Sequence, residues 1–416
     1  MYVNIVCVLL LFAPFGVKAL KVCDNLWLYD HPNTEHCHNY YQANLTTEQI
    51  ITTWGFFSVT HLVITEDGYA LKLIQAWDLN GQRAGKKMLP DPVVVGHGHM
   101  QDSNSMVFQG DMSIVQQLIK QGYYVWLVNF RGNSYSAAHM TIRDKTKFYD
   151  FSFDEMGMYD MPAVLKTVKR LTKTSGTPVF LGYGMSNAAA FIYAITKPQE
   201  AQKYLKGIVA WAPLIYVSNM KSLVWFALQF VPYFESLWKE TFHGEVKVSY
   251  DMVQKFCTQY TFQLFICNFF RMFIGGDNIQ QINPELLPLG LLSHAERSSY
   301  KTLVHYAQLV QTGKFQAMDL GSKKNNITYG QTTPMQYNIS AINVPVAIYY
   351  GPNDWLTDSV DVQQIYSELN PKVRCGLYRI NYDKFSHTDF QEAKVADPLL
   401  YKPTLDKIAQ ICTNKC

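Results

Sequence analysis

The chain has 416 residues, 48% of them apolar and 17% charged, so it can bury a large core and lacks the composition of a disordered protein. A net charge of +3 leaves no basic stripe, and no zinc-finger or RNA-binding signature occurs, which excludes nucleic acid as an expected partner. Length and composition predict one large α/β domain, or one carrying an inserted subdomain.

The opening residues, "MYVNIVCVLLLFAPFGVKAL", hold an apolar run from Ile5 to Phe15 followed by Val17-Lys18-Ala19. That run is short for a bilayer span, and the small residues after it suit cleavage behind Ala19. Residues 1–19 are therefore predicted to be a signal peptide rather than a membrane anchor or a buried helix. Sequons at Asn44-Leu45-Thr46, Asn326-Ile327-Thr328 and Asn338-Ile339-Ser340 agree with export. The expected location is extracellular, with the lysosome or another endomembrane lumen as the alternative. Loss of the leader removes Cys7 and leaves Cys23, Cys37, Cys257, Cys267, Cys375, Cys412 and Cys416, an odd set with one thiol free or paired outside the chain. Short loops predict the pairs Cys23–Cys37 and Cys257–Cys267. The tail is expected to close a disulfide either locally or to Cys375, and spacing alone leaves the connectivity open.

Residues 20–50 form an N-terminal arm whose "DHPNTEHCHNY" surrounds a cysteine with three histidines. His36-Cys37-His38 matches no recurring metal-ligand spacing, so the segment reads as a solvated arm. Next, "HLVITEDGYALKLIQAW" places Glu66-Asp67-Gly68 between two β-rich runs, the pattern of a hairpin. No GxGxxG or phosphate-binding loop follows, and no cofactor is expected. From Pro92 short apolar runs ("VVVGHG", "YYVWLVNF", "VFLGYG", "LKGIVAWAP", "VPVAIYYG") alternate with helical segments such as Met112 to Gln121 and Met161 to Thr172. Buried strands alternating with helices predict a mostly parallel sheet covered on both faces. The rhythm breaks at 214–311 into an aromatic, helix-prone insertion containing "LVWFALQFVPYF" and "FQLFICNFFRMF". It reads as a helical cap between two parts of the core, 51–213 and 312–416. Such a cap can line an apolar-ligand cleft or meet a lipid–water interface.

A serine hydrolase on an open α/β sheet needs a nucleophile on a sharp strand-to-helix turn, two backbone N–H groups for the oxyanion, and then an acid and a histidine in that chain order. Here "VVVGHGHMQDS" ends a strand in His97-Gly98-His99, suited to an oxyanion loop. "VAIYYGPNDWLTD" puts Asp354 just past a strand, and "FSHTDF" puts His387 in a later loop, positions that suit the acid and base of a triad. In the frame Gly182-Tyr183-Gly184-Met185-Ser186 the central residue is glycine, which cannot be acylated.

The stretches "WGFFSVTHLVITEDGYAL", "GHGHMQDS", "GYYVWLVNFRGNSYS", "FSFDEMGMYDMPA", "KFQAMDLGS" and "GPNDWLTD" together resemble the acid lipase family, the gastric and lysosomal lipases and their invertebrate relatives, over nearly all of the mature length. The resemblance implies an α/β-hydrolase core with a helical cap, ancestry in hydrolysis of neutral-lipid esters, Asp354 and His387 as acid and base, His99 and Met185 at the oxyanion N–H positions, and a cap disulfide at Cys257 and Cys267. It also implies an elbow Gly-His-Ser-Gln-Gly. This chain departs from that elbow at Tyr183, Gly184, Met185 and Ser186, and carries His99 where an apolar residue is usual.

Sliding the frame by two gives Gly184-Met185-Ser186-Asn187-Ala188, which would make Ser186 a displaced nucleophile. Helical geometry puts that serine roughly 200° around the axis from Gly184, pointing away from His387. His97 and His99 with Asp102 lack the ligand set of a metal site, and no metal is expected. Arg131 and Asp160 read as buried structural partners. Two functions follow: a pseudolipase that binds neutral lipid or another apolar ligand or serves a structural or storage role, and, as the alternative, an active lipase or carboxylic ester hydrolase of neutral lipids, through a displaced Ser186 or by water-mediated residual chemistry. The sequence leaves the oligomeric state open.

Overall fold

The computed structural model describes residues 20–31, 35–172 and 174–416; the predicted signal peptide lies outside them. Eight strands form the path of the central sheet: β1 (Phe57–Ile64), β2 (Tyr69–Trp77), β3 (Val93–Gly96), β4 (Val125–Val128), β5 (Val179–Tyr183), β6 (Gly207–Trp211), β7 (Val346–Tyr350) and β8 (Arg374–Arg379). They lie in the order β1-β2-β4-β3-β5-β6-β7-β8, and a two-residue strand at Ala138–His139 pairs with β2. The hairpin β1–β2 and the β2–β4 pair are antiparallel, while every neighbour from β4 to β8 is parallel. This is the α/β-hydrolase architecture, with its ligand region at the carboxyl ends of the parallel strands.

The parallel strands read as continuous apolar runs because both faces are covered. Alternate residues divide between two cores: Val94, Trp126, Phe180 and Ile208 face one way, and Val95, Leu127, Leu181 and Val209 face the other. Helix α1 (Ile114–Gln121) begins at the cap Ser113, whose hydroxyl accepts from Gln116 N, and ends on Gly122 in the left-handed conformation. Helix α2 (Met161–Leu171) and α3 (Met185–Thr196) pack on the Phe180 face. A Cβ on Gly96 would fall 2.8 Å from Ser186 Cβ, and one on Gly182 would collide with Asn187, so these two glycines let α3 approach the sheet.

Between β6 and β7 the chain builds the cap from α4 (Leu223–Phe230), α5 (Glu235–Phe242), α6 (Tyr250–Cys257), α7 (Thr261–Gly275) and α8 (Leu287–Ser293), followed by α9 (Tyr300–Thr312). No described helix is long and apolar enough to cross a membrane. The disulfides Cys23–Cys37 and Cys257–Cys267 are present. Cys416 pairs with Cys375, leaving Cys412 free, because the final helix α10 (Lys402–Cys412) returns the tail to β8. The arm is more than a solvated tail: although His36 and His38 are exposed, Cys23, Tyr29 and Cys37 are buried with Leu264, Leu287 and Leu291 of the cap. The short pairing of Lys21–Cys23 with Cys37–Asn39 explains this, since it turns one face of the segment inward.

Arg131 is buried against Asp160, with Nε and Nη2 donating at 2.9 and 2.6 Å. The guanidinium also forks onto Asp67, at 2.6 and 2.9 Å, and stacks over the Tyr69 ring. Asp67 thus ties the hairpin turn to the core, a role that its place in a turn motif concealed. Removing one member of such a buried set typically costs about 3–5 kcal/mol.

Candidate active site

Strand β5 turns directly into α3 at Gly184, whose φ of 56° and ψ of −118° lie in a region that side chains rarely adopt. Four hydrogen bonds hold the turn: Gly184 N donates to Trp211 O at 3.1 Å, and its carbonyl accepts from Asn187 N, Leu214 N and Asn187 Nδ2. Among the described residues beyond its two chain neighbours, a Cβ built on Gly184 would have His387 Nε2 as its nearest contact at 3.6 Å, with Gly98 Cα at 3.8 Å. Space for a side chain therefore exists, and it opens on the histidine.

Asp354, in the loop after β7, is buried. Its Oδ1 accepts from Leu356 N and Thr357 N at 2.9 and 2.8 Å, and its Oδ2 accepts from the Thr357 hydroxyl and, at 2.7 Å, from His387 Nδ1. Because a carboxylate holding these donors must accept, Nδ1 carries the imidazole proton and the lone pair of the neutral ring lies on Nε2. His387 sits in the loop after β8, where its backbone N–H donates to Gly275 O at 2.9 Å, at the carboxyl end of cap helix α7. The cap is thereby seated on the site, and His387 is only 8% exposed.

The structure brings Gly184, Asp354 and His387 together and leaves Ser186 out of the group. Ser186 is fully buried, its hydroxyl accepting from Tyr183 N at 2.9 Å and donating to Tyr183 O at 3.0 Å, and no hydrogen bond joins it to His387. Tyr183 lies on the opposite face of the strand, with its ring 5.0 Å from that of His387 and its hydroxyl donating to His387 O. Met185 opens α3, and His99 follows β3; the backbone N–H of neither finds a protein acceptor among the described residues. Gln101, which the motif reading did not single out, steadies this loop: its Oε1 accepts from Gly98 N at 3.0 Å, and its Nε2 reaches Gln391 at 2.8 Å and His294 at 2.9 Å. The glutamine is separated from Gln391 by 290 residues, so no local pattern announces it.

His97 lies behind the loop. Phe130 N donates to its Nε2 at 3.2 Å, which makes Nδ1 the donor to Gly98 O at 2.8 Å, and burial pushes the imidazole down to about 4. The neighbouring His99 is likewise held down at about 4 by burial and by His97; its Nε2 and the Tyr306 hydroxyl on α9 are both enclosed without a protein partner. Asp102 is occupied by the Asn104 N–H, and no group of three metal-ligating side chains occurs among the described residues.

This arrangement has named relatives. Over 381 residues the chain is 32% identical to gastric triacylglycerol lipase of Rattus norvegicus, covering 89% of this chain and 93% of that lipase. The chain belongs to the acid lipase family. Other members are similarly related: gastric triacylglycerol lipase of Homo sapiens at 31% identity, covering 89% of this chain and 92% of that one, and Lipase 1 of Drosophila melanogaster at 30%, covering 89% and 81%. No protein-family model matches the chain. Among solved structures, a soluble variant of monoglyceride lipase from Saccharomyces cerevisiae is 13% identical with a TM-score of 0.49, covering 85% of this chain and 96% of that one, a likeness too loose to add to the fold.

Proposed function

We propose that this acid lipase homologue is a catalytically impaired member of its family, retaining a site for neutral lipid or another apolar ligand beneath its cap. The observation that carries this reading is Gly184: at the turn between β5 and α3, beside His387 Nε2, the chain has no side-chain oxygen to form an acyl-enzyme. In this reading Asp354 and His387 hold the acid and base positions, and the N–H groups of His99 and Met185 hold the oxyanion positions. Ser186 is a poor substitute nucleophile because both hydrogen-bonding directions of its hydroxyl are taken by Tyr183.

The cap supports an apolar partner. Phe226, Phe230, Tyr233, Phe262 and Phe270 are each more than half exposed, an aromatic surface suited to a lipid–water interface. Three disulfides and exposed asparagines at all three sequons support a protein made in the secretory pathway and acting outside the cell or in a lumen.

The test pairs a fluorophosphonate probe with lipid uptake by the purified protein. The wild-type chain is expected to escape covalent labelling and to take up a fluorescent triacylglycerol or steryl ester. Labelling that disappears in Ser186→Ala would restore the active-hydrolase reading. Absence of lipid uptake would leave the structural or storage role.

A further inference from the structure

A site that only bound lipid would have no need of an oriented acid–base pair, yet the turn, the imidazole and the anion-binding amides are all in place. His387 Nδ1 is 2.7 Å from Asp354 Oδ2, and its Nε2 faces the position of the absent Cβ at 3.6 Å, the nearest approach by any described residue beyond Gly184 and its two chain neighbours. The N–H groups of His99 and Met185 remain without protein acceptors among the described residues. Without a side chain on Gly184, a water seated at van der Waals distance from the Gly184 Cα, farther out than the Cβ position and on its imidazole side, would come into hydrogen-bonding range of Nε2.

We propose that the protein hydrolyses carboxylic esters directly, with water as the nucleophile and without an acyl-enzyme. The inference rests on the reading of Gly184 as the nucleophile position. His387 Nε2 takes a proton from the water as its oxygen bonds to the ester carbonyl carbon. The carbonyl π pair moves onto oxygen, where the N–H groups of His99 and Met185 hold the anion. The C=O bond re-forms, the bond to the alkoxide breaks, and the alkoxide takes the proton from Nε2. One ester and one water give one acid and one alcohol, and His387 returns neutral. Asp354 holds the imidazolium formed midway.

The experiment follows 4-nitrophenyl butyrate with the full-length protein. The expected result is steady release with no burst and no acyl or fluorophosphonate adduct by mass spectrometry. His387→Gln should lower the rate at least tenfold, since positioned general bases contribute roughly 10²–10⁴. Gly184→Ala should also lower it at least tenfold, because a methyl group takes the place of the water while the pair at Asp354 and His387 stays intact; this variant decides the matter if His387→Gln does not fold. Equal rates in wild type and the folded variants, or a burst with a trapped acyl group in the wild type, would overturn the proposal. Lipid uptake measured in parallel separates the two readings: uptake without hydrolysis that depends on His387 sinks direct hydrolysis alone.

Discussion

On one side of the site, Asp354 collects two backbone N–H groups, a threonine hydroxyl and an imidazole; on the other, the turn at Gly184 is held by four hydrogen bonds and ends in no side chain. The order of the loops after β7 and β8 positions the Asp354 carboxylate against the His387 imidazole, whereas the order of the turn after β5 fixes backbone shape alone. Such a turn does not need a serine to form. At a φ of 56°, glycine is the residue least strained there, so a serine at this position would be carried at a cost in stability.

The comparison is broken or sharpened most strongly by Gly184→Ser. If the Asp354–His387 side is poised, this one change should raise ester hydrolysis at least a hundredfold over wild type and bring stoichiometric fluorophosphonate labelling, because serine's share of triad catalysis far exceeds the residual rate of a site without it. A folded variant that stays unlabelled would mean that the histidine side is not competent. The same substitution, and Gly184→Ala, should lower stability by about 1–3 kcal/mol through backbone strain, as measured by urea unfolding.

A smaller effect separates the two sides by pH. Asp389, two residues beyond His387, is raised to about 6, first by burial, against hydrogen bonds from Asn278 and Ser386 and with Glu392 adding repulsion. Its folded value lies above the unfolded one of about 4, so its contribution is complete below about pH 4 and is lost as pH rises through 6. His97, at the end of β3, runs the other way: its folded value of about 4 lies below the unfolded one, and stability is lost as pH falls from about 6.5 to 4. Asp389→Asn should therefore gain on wild type as pH rises from 4 to 7, by on the order of 1–2 kcal/mol, in unfolding titrations at each pH. Smallest of all, Ser186→Ala should cost about 1 kcal/mol through its lost hydrogen bonds to Tyr183. In Gly184→Ser it should leave fluorophosphonate labelling intact, which assigns the serine to structure on the turn side.

Local chemistry accounts for much that was legible beforehand. The apolar runs at Val93–Gly96 and Val179–Tyr183 announce buried parallel strands because both of their faces must be covered, and Glu66-Asp67-Gly68 announces the hairpin through its turn residues. Spacing of about a dozen residues suggests Cys23–Cys37 and Cys257–Cys267 because short loops close readily, while the tail thiols had two open choices. The order Gly184, Asp354, His387 is likewise written in the chain, as is the absence of a hydroxyl at the first position.

Only the tertiary structure decided how distant groups meet. Folding aims Asp67 at Arg131 across 64 residues, seats Gln101 against Gln391, and delivers Cys416 rather than Cys412 to Cys375. It also turns the Ser186 hydroxyl back onto Tyr183 and brings the His387 imidazole within 2.7 Å of Asp354. The physical reason is common to all of these: turns, strands and short disulfides depend on conformations a few residues long, whereas a hydrogen bond between remote side chains exists only after the packed strands and helices have set the position of both partners.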